Sequence, residues 1–155
     1  TPSLPVLQHA VKWLQENESY NPDAVMILQP TSPLRRVEHI NGAAEVMETT
    51  GADTVVSVVE VPHRFNPVSL MALNDEERLV PHQPGELILR RQDKPLFYAR
   101  NGPAVLMVKL STLMGLDTLY GANIQPYLMD EMDSFDVDTE EDLIIIEALL
   151  KHQQR

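Results

Sequence analysis

Cysteine is absent from this chain of 155 residues. Disulfides, thiolate metal sites and a cysteine nucleophile are therefore excluded, and a reducing compartment is permitted without being required. Basic residues are scarce: 12 Lys and Arg stand against 23 Asp and Glu, a formal net charge of −11. That balance argues against nucleic acid or an anionic membrane as partner, since both call for a basic patch. No apolar run approaches a membrane span. Thr1-Pro2-Ser3-Leu4-Pro5 lacks the basic start of a signal peptide, so a cytoplasmic protein is expected. The chain also begins without Met, and a processed or truncated piece of something longer is expected. Internal repeats, low-complexity tracts and linkers are missing too.

What is present suffices for one domain, 1–155, with a real core: 43% of residues are hydrophobic. Leu4, Leu7, Val11 and Leu14 recur at helical spacing, with Ser3 as the expected cap, Pro5 in the first turn and Trp13 packing on the helix. Asn21-Pro22-Asp23 is a turn. Residues 24–28 form a short apolar run of the kind buried on both faces. Val37 to Thr50 predicts a second helix with Val37, Ile40, Ala44 and Met47 inward, ended by Gly51. Residues 54–61 are a β-branched strand. Helix, strand, helix, strand is the rhythm of an α/β fold with an open, mostly parallel sheet. Residues 62–95 break that rhythm with a predicted hairpin, 69–73 against 78–80. A strand is expected at 104–110 and a helical turn at 113–115; residues 121–129 lead into an acidic segment, and a closing helix runs over 139–153. Its run Leu143-Ile144-Ile145-Ile146 implies burial on more than one side.

Three segments carry candidate chemistry. The first, Leu28-Gln29-Pro30-Thr31-Ser32-Pro33-Leu34-Arg35, follows a strand, and ligands of open α/β sheets sit beyond the carboxyl ends of strands. Its prolines reduce the entropy of holding Gln29, Thr31 and Ser32 in place, and Arg35 offers a planar fork for phosphate or carboxylate. A rigid turn with Arg35 in solvent is the plain alternative. The second runs from Arg90-Arg91 to Asn101-Gly102 and is the most basic part of the chain. Arg35-Arg36 and Arg90-Arg91 are both candidate anion contacts, and Asn101 would project an amide toward a polyhydroxyl ligand. His63, in a polar loop, is the kind of lone histidine more often found in solvent. The third is Ser134-Phe135-Asp136-Val137-Asp138-Thr139. If extended, it projects Asp136 and Asp138 to one side, a pair suited to Mg²⁺. Alternatively Asp138 N-caps the helix with Glu141 completing a capping box. Both can hold.

In order and spacing, Leu-Gln-Pro-Thr-Ser-Pro-Leu-Arg, Arg-Gln-Asp-Lys-Pro with Arg-Asn-Gly, and Ser-Phe-Asp-Val-Asp-Thr before a helix resemble the acylneuraminate (CMP-sialic acid) cytidylyltransferase family over nearly the whole chain. The resemblance implies that CTP and a nine-carbon 2-keto acid become a CMP-sugar and pyrophosphate with Mg²⁺. It implies a Rossmann-like sheet of nucleotidyltransferase type and a homodimer to which the excursion 62–100 contributes. By motif, Asp136 and Asp138 would be the catalytic metal ligands. Gln29 and Asn101 would contact the sugar, with Arg91 near it or its carboxylate, and Thr31, Ser32 and Arg35 would belong to the substrate loop. Two departures stand out. The family's opening strand and loop of the type Leu-Ala-Arg-x-x-Ser-Lys-x-x-x-x-Lys-Asn has no counterpart here, so the chain alone is expected to be inactive. Asn101-Gly102-Pro103-Ala104-Val105 replaces the more usual Asn-Gly-Ala-Ile-Tyr, which leaves legionaminic- and pseudaminic-type acids open beside N-acetylneuraminate. The competing readings are an Asp-x-Asp glycosyltransferase consuming a nucleotide sugar, and a non-catalytic binding or structural domain.

Overall fold

The computed structural model describes residues 2–83 and 88–153, so 84–87 of the 62–100 excursion and Thr1 lie outside the described residues. Helix α1 (Ser3–Glu18) leads into strand β1 (Ala24–Ile27), helix α2 (Val37–Thr50) and strand β2 (Thr54–Glu60). A short hairpin follows, β3 (Met71–Leu73) against β4 (Leu79–Pro81), forming a separate two-stranded sheet. Strands β5 (Tyr98–Arg100), β6 (Leu106–Lys109) and β7 (Ile124–Leu128) return to the main sheet, and helix α3 (Glu140–Gln153) closes the chain.

The α/β architecture is as the sequence implies, with a sheet flanked by helices, but its pairing is mixed. β6 lies antiparallel between β1 and β2, and β7 pairs with the other edge of β2 in parallel. β1, β2 and β7 therefore share one direction, while only β2–β7 is a directly parallel pair. β5 is also antiparallel to β2, on the edge that β6 uses, and residues 101–105 bulge out between the two. A bulge of this kind re-aims side chains and often sits beside a site.

Side chains of the strands alternate between two layers, as a period of two requires. Ala24, Met26, Val55, Val105 and Met107 pack with Ala43 and Met47 of α2. Val25 and Val108 meet Leu4, Leu7 and Val11 of α1, together with Leu113 from the π-helical turn 111–115. Ser3 begins α1 as a helical residue instead of capping it, because Pro2 holds the N-cap position, and Trp13 stays half exposed. α2 has the expected bounds and ends at Gly51 with φ 66°, a left-handed residue whose N–H reaches the Met47 carbonyl. Its buried stripe is His39, Ala43 and Met47, however, and Val37 is exposed: the face is turned from the predicted one to meet β7 as well as the sheet centre.

Two burial expectations are overturned. β1 is only partly buried, since β6 is its one strand partner among the described residues. In α3, Ile146 is buried but Leu143, Ile144 and Ile145 are exposed, because nothing among the described residues covers those faces.

Candidate functional site

The loop after β1 and the acidic segment before α3 are about a hundred residues apart in sequence and are laced together at the carboxyl end of the sheet. Val137 N–H donates to the Thr31 carbonyl at 2.8 Å. Ser32, 1% exposed, donates its hydroxyl to Asp136 Oδ1 at 3.2 Å. The Thr31 hydroxyl reaches Gln29 Oε1 at 3.4 Å. Arg35 does not stand in solvent. Its Nη1 donates to the Gln29 carbonyl at 2.9 Å and the Ala104 carbonyl at 2.8 Å, bracing the loop against the start of β6. A guanidinium nitrogen spent on two carbonyls is a structural brace, so the loop's expected anion fork is at least half committed to the fold.

Asn101, in the bulge between β5 and β6, is buried with both ends of its amide engaged. Its oxygen accepts from the buried Ser57 hydroxyl at 2.6 Å, and its nitrogen donates to Ser134 Oγ at 2.9 Å and Met129 Sδ at 3.4 Å. The Ser57 oxygen in turn accepts from Val105 N–H at 2.9 Å. Through these bonds Asn101 ties β2 to the acidic segment.

The cap of α3 is also not the expected one. Thr139 is the N-cap: its Oγ1 accepts from Asp142 N–H at 3.3 Å, and Asp142 Oδ2 accepts from the N–H groups of Asp138 and Thr139 at 3.0 and 2.8 Å. Those hydrogen bonds, led by the Asp138 backbone, hold the Asp142 carboxyl below its usual value. Thr139-Glu140-Glu141-Asp142 has capping-box spacing, so the signal was present in the sequence beside the Asp138–Glu141 pair. The Asp138 carboxylate is thereby released from capping.

Asp136, Asp138 and Asp142 open on a cavity of about 340 Å³, with Phe65, Ser134 and Phe135 in its wall. A neighbouring cavity of about 350 Å³ shares Val59, Pro62 and Glu131 with it and carries His63 and Arg91. A third, of about 420 Å³, shares Glu60, His63 and Arg91 and adds Lys94 and Asn66. The series runs from a carboxylate end to a cationic end. The donor set at the first end suits Mg²⁺, which takes one or two carboxylates and completes its shell with water and substrate phosphates. Among the described residues no cluster of three or more His, Asp or Glu could hold a metal alone.

Sequence reasoning passed over two residues here, Asp133 and His39, and gave Arg36 only as a candidate anion contact. Asp133 is buried in the 3₁₀ turn before Ser134. Its carboxylate meets Arg36 Nη2 at 2.5 Å and lies 3.4 Å from Nε2 of the buried His39. Arg36 is thus committed to a carboxylate. Burial holds the His39 imidazole below its usual value, against the opposing pull of Asp133. No local spacing announces this cluster, whose parts lie 97 positions apart.

The fold is of the nucleotidyltransferase type. The solved structure of CMP:2-keto-3-deoxy-manno-octonic acid synthetase complexed with CTP superimposes with a TM-score of 0.59 at 13% identity, over 94% of this chain and 68% of that one. By sequence, the chain is a homologue of the N-acylneuraminate cytidylyltransferases and CMP-legionaminic acid synthases. It is 34% identical over 120 residues to N-acylneuraminate cytidylyltransferase of Streptococcus agalactiae, covering 77% of this chain and 28% of the relative. It is 30% identical over 134 residues to CMP-N,N'-diacetyllegionaminic acid synthase of Legionella pneumophila, covering 85% and 56%. Post-translational flagellin modification protein B of Campylobacter coli matches at 29% over 150 residues, 97% of this chain and 62% of the relative. The chain therefore spans less than two thirds of the length of these curated relatives. No protein-family model matches it.

Proposed function

We propose that the protein carrying this chain is a cytidylyltransferase that joins CTP to a sialic-acid-like 2-keto sugar acid, giving a CMP-sugar and pyrophosphate. The observation that carries this reading is the joining of Asp136 and Asp138, at one end of a run of cavities, to Arg91, His63 and Lys94 at the other. A nucleotide triphosphate with its counter-cation suits the first end, and a carboxylated polyol suits the second. The homologues' names agree with both substrates.

In this mechanism the sugar's anomeric oxygen attacks the α-phosphorus of CTP. The bond from that phosphorus to the bridging oxygen breaks, and pyrophosphate leaves. Asp136 and Asp138 would hold Mg²⁺, which when bound offsets triphosphate charge as a Lewis acid. Ser32 orients Asp136 through its hydroxyl, and the Thr31 carbonyl fixes the segment at Val137. Arg91 provides a cation for the sugar's carboxylate. Gln29, half-buried at the root of the same loop, is the remaining polar group proposed for the sugar. A carboxylate of the pair takes up the hydroxyl proton.

A homodimer is proposed through the 62–100 excursion, where Leu70, Leu73, Leu79, Leu89 and Leu96 are exposed. Sedimentation at micromolar concentration tests it, and a monomer would refute it. A cytoplasmic site of action suits a cysteine-free chain; among the described residues no helix is long and apolar enough to cross a membrane.

The test is pyrophosphate release from CTP with Mg²⁺ and a panel of nonulosonic acids, run on this chain and on the longest product of its reading frame. Release dependent on one acid is expected. No release from the longer, folded product overturns the proposal, and nucleotide-sugar cleavage without pyrophosphate would indicate a glycosyltransferase.

A further inference from the structure

We infer that Asp133 is a positioning residue: clamped to the start of α2 by Arg36 and His39, it fixes the course of the segment that presents Asp136 and Asp138. The consequence for metal binding rests on the function proposed above; the clamp itself does not.

Asp133 is 4% exposed and three residues before Asp136, in a turn that otherwise carries Asp130 and Glu131. A carboxylate buried in so acidic a segment needs compensation, and the start of α2 supplies cationic and hydrogen-bonding groups for it. Arg36 Nη2 contacts Oδ2 at 2.5 Å, and the His39 ring closes the other side at 3.4 Å. The histidine's tautomer follows from its own hydrogen bond. Nδ1 accepts the Arg36 backbone N–H at 3.1 Å, so the ring proton sits on Nε2 and faces Asp133. The contact of Arg36 Nη2 with Nε2 at 3.5 Å is then two donors side by side, both serving the same carboxylate. Tyr127 flanks the ring at 6.2 Å between centroids, and the charges of Glu38 and Asp130 also reach His39.

Downstream of this clamp, neutral or singly charged ties to other parts of the fold among the described residues include Ser134 to Asn101, Asp136 to Ser32, and Val137 to Thr31. Each is a single hydrogen bond with a partner in another element. Asp133 is the ionic tie, placed where the segment leaves β7. Without it, the mutual repulsion of Asp130, Glu131, Asp136 and Asp138 acts on a segment held by hydrogen bonds alone.

The experiment is residue-resolved amide exchange on this chain, with Val137 N–H as reporter and Val108, in the centre of the sheet, as control. Asp133→Asn is expected to speed exchange at Val137 about tenfold, equivalent to ~1.4 kcal/mol of local opening, and to leave Val108 unchanged. Arg36→Gln, altering a side chain half in solvent, keeps the test alive if Asp133→Asn does not fold. Arg36→Lys should restore part of the protection. Unchanged Val137, or equal acceleration at Val108, overturns the inference. In parallel, Mn²⁺ broadening of the 136–138 amides should need several-fold more metal in the variant; an unchanged requirement also overturns it. No broadening in the wild-type chain would remove the metal reading of the proposed function, and exchange at Val137 would still decide the clamp.

Discussion

The Ser57 hydroxyl donates to the Asn101 amide oxygen across 2.6 Å in the interior, joining the middle of β2 to the bulge between β5 and β6. Both residues are buried, and the Asn101 nitrogen passes the connection on to Ser134. Replacing Asn101 with Ala leaves the Ser57 and Ser134 hydroxyls short of a partner. A loss of about 2 kcal/mol in folding stability is expected from that buried deficit. Chemical denaturation without any ligand measures it. A variant as stable as the wild type would mean that Asn101 serves ligand alone.

The two carboxylates of Asp-x-Asp should matter far more to activity than to stability, since Asn at 136 keeps an oxygen for the Ser32 hydroxyl. Asp136→Asn and Asp138→Asn are each expected to lower pyrophosphate release from CTP by about a hundredfold or more in the active protein, a loss of ~2.7 kcal/mol in the barrier. Neither caps α3, so melting temperatures should stay near the wild type's. Steady-state rates beside thermal scans separate the two effects.

Asp142, by contrast, should behave as structure. Its carboxylate accepts three hydrogen bonds at the start of α3 and is held by them below the ordinary aspartate range. A carboxyl depressed by folding adds stability above its unfolded pKa, and that stability is lost as pH falls through the lower folded value. Asp142→Ala should fray the first turn of α3 at neutral pH. It should also remove an acid-side slope near and below pH 3.8, read by amide exchange and by the carboxyl ¹³C titration.

His39 gives the opposite kind of group the same sign. Burial favours its neutral form, so the folded ring takes a proton at lower pH than the unfolded value of 6.5. Between those values the unfolded chain binds more protons, and stability falls as pH is lowered through 6.5 toward the folded pKa. Above 6.5 the contribution is flat. Comparing denaturation midpoints of wild type and His39→Gln over about pH 5 to 8 isolates it. Parallel curves would contradict the lowered His39 pKa.

Gly42 tests the packing of α2 on β7. Gly to Ala inside a helix ordinarily gains up to about 1 kcal/mol. Here an added Cβ would lie 2.5 Å from Tyr127 Cε2, so the substitution should destabilise by ~1–3 kcal/mol. In a Tyr127→Ala background it should stabilise instead, and a double-mutant cycle reads the reversal.

Much of the local structure was legible because it is written in neighbouring residues. The period of α2, its end at Gly51, the β-branched run of β2 and the hairpin 71–81 are all short-range patterns, and they appear nearly where they were expected. The cap of α3 was misread although equally local, since two overlapping acidic spacings compete and Thr139 with Asp142 takes the bonds. Strand pairing was less legible. That β6 inserts antiparallel between β1 and β2 depends on contacts between strands far apart in the chain.

The sequence by itself determined the chemistry on offer. With no thiol, few cations and a paired Asp136 and Asp138, oxygen ligands and a hard cation were the available means, and the order of three motifs pointed to relatives that handle nucleotides and acidic sugars. Tertiary structure decided which polar groups are already engaged within the fold. Burial forces hydrogen-bond partners on Asn101 and Asp133, because a polar group removed from water must be satisfied by whatever the fold brings near it, and half-buried Arg35 and exposed Arg36 are drawn into the same bracing. Asp138, Arg91 and His63 line the cavities, the first released by Thr139 and Asp142 from a capping role that its position in the sequence alone would have given it.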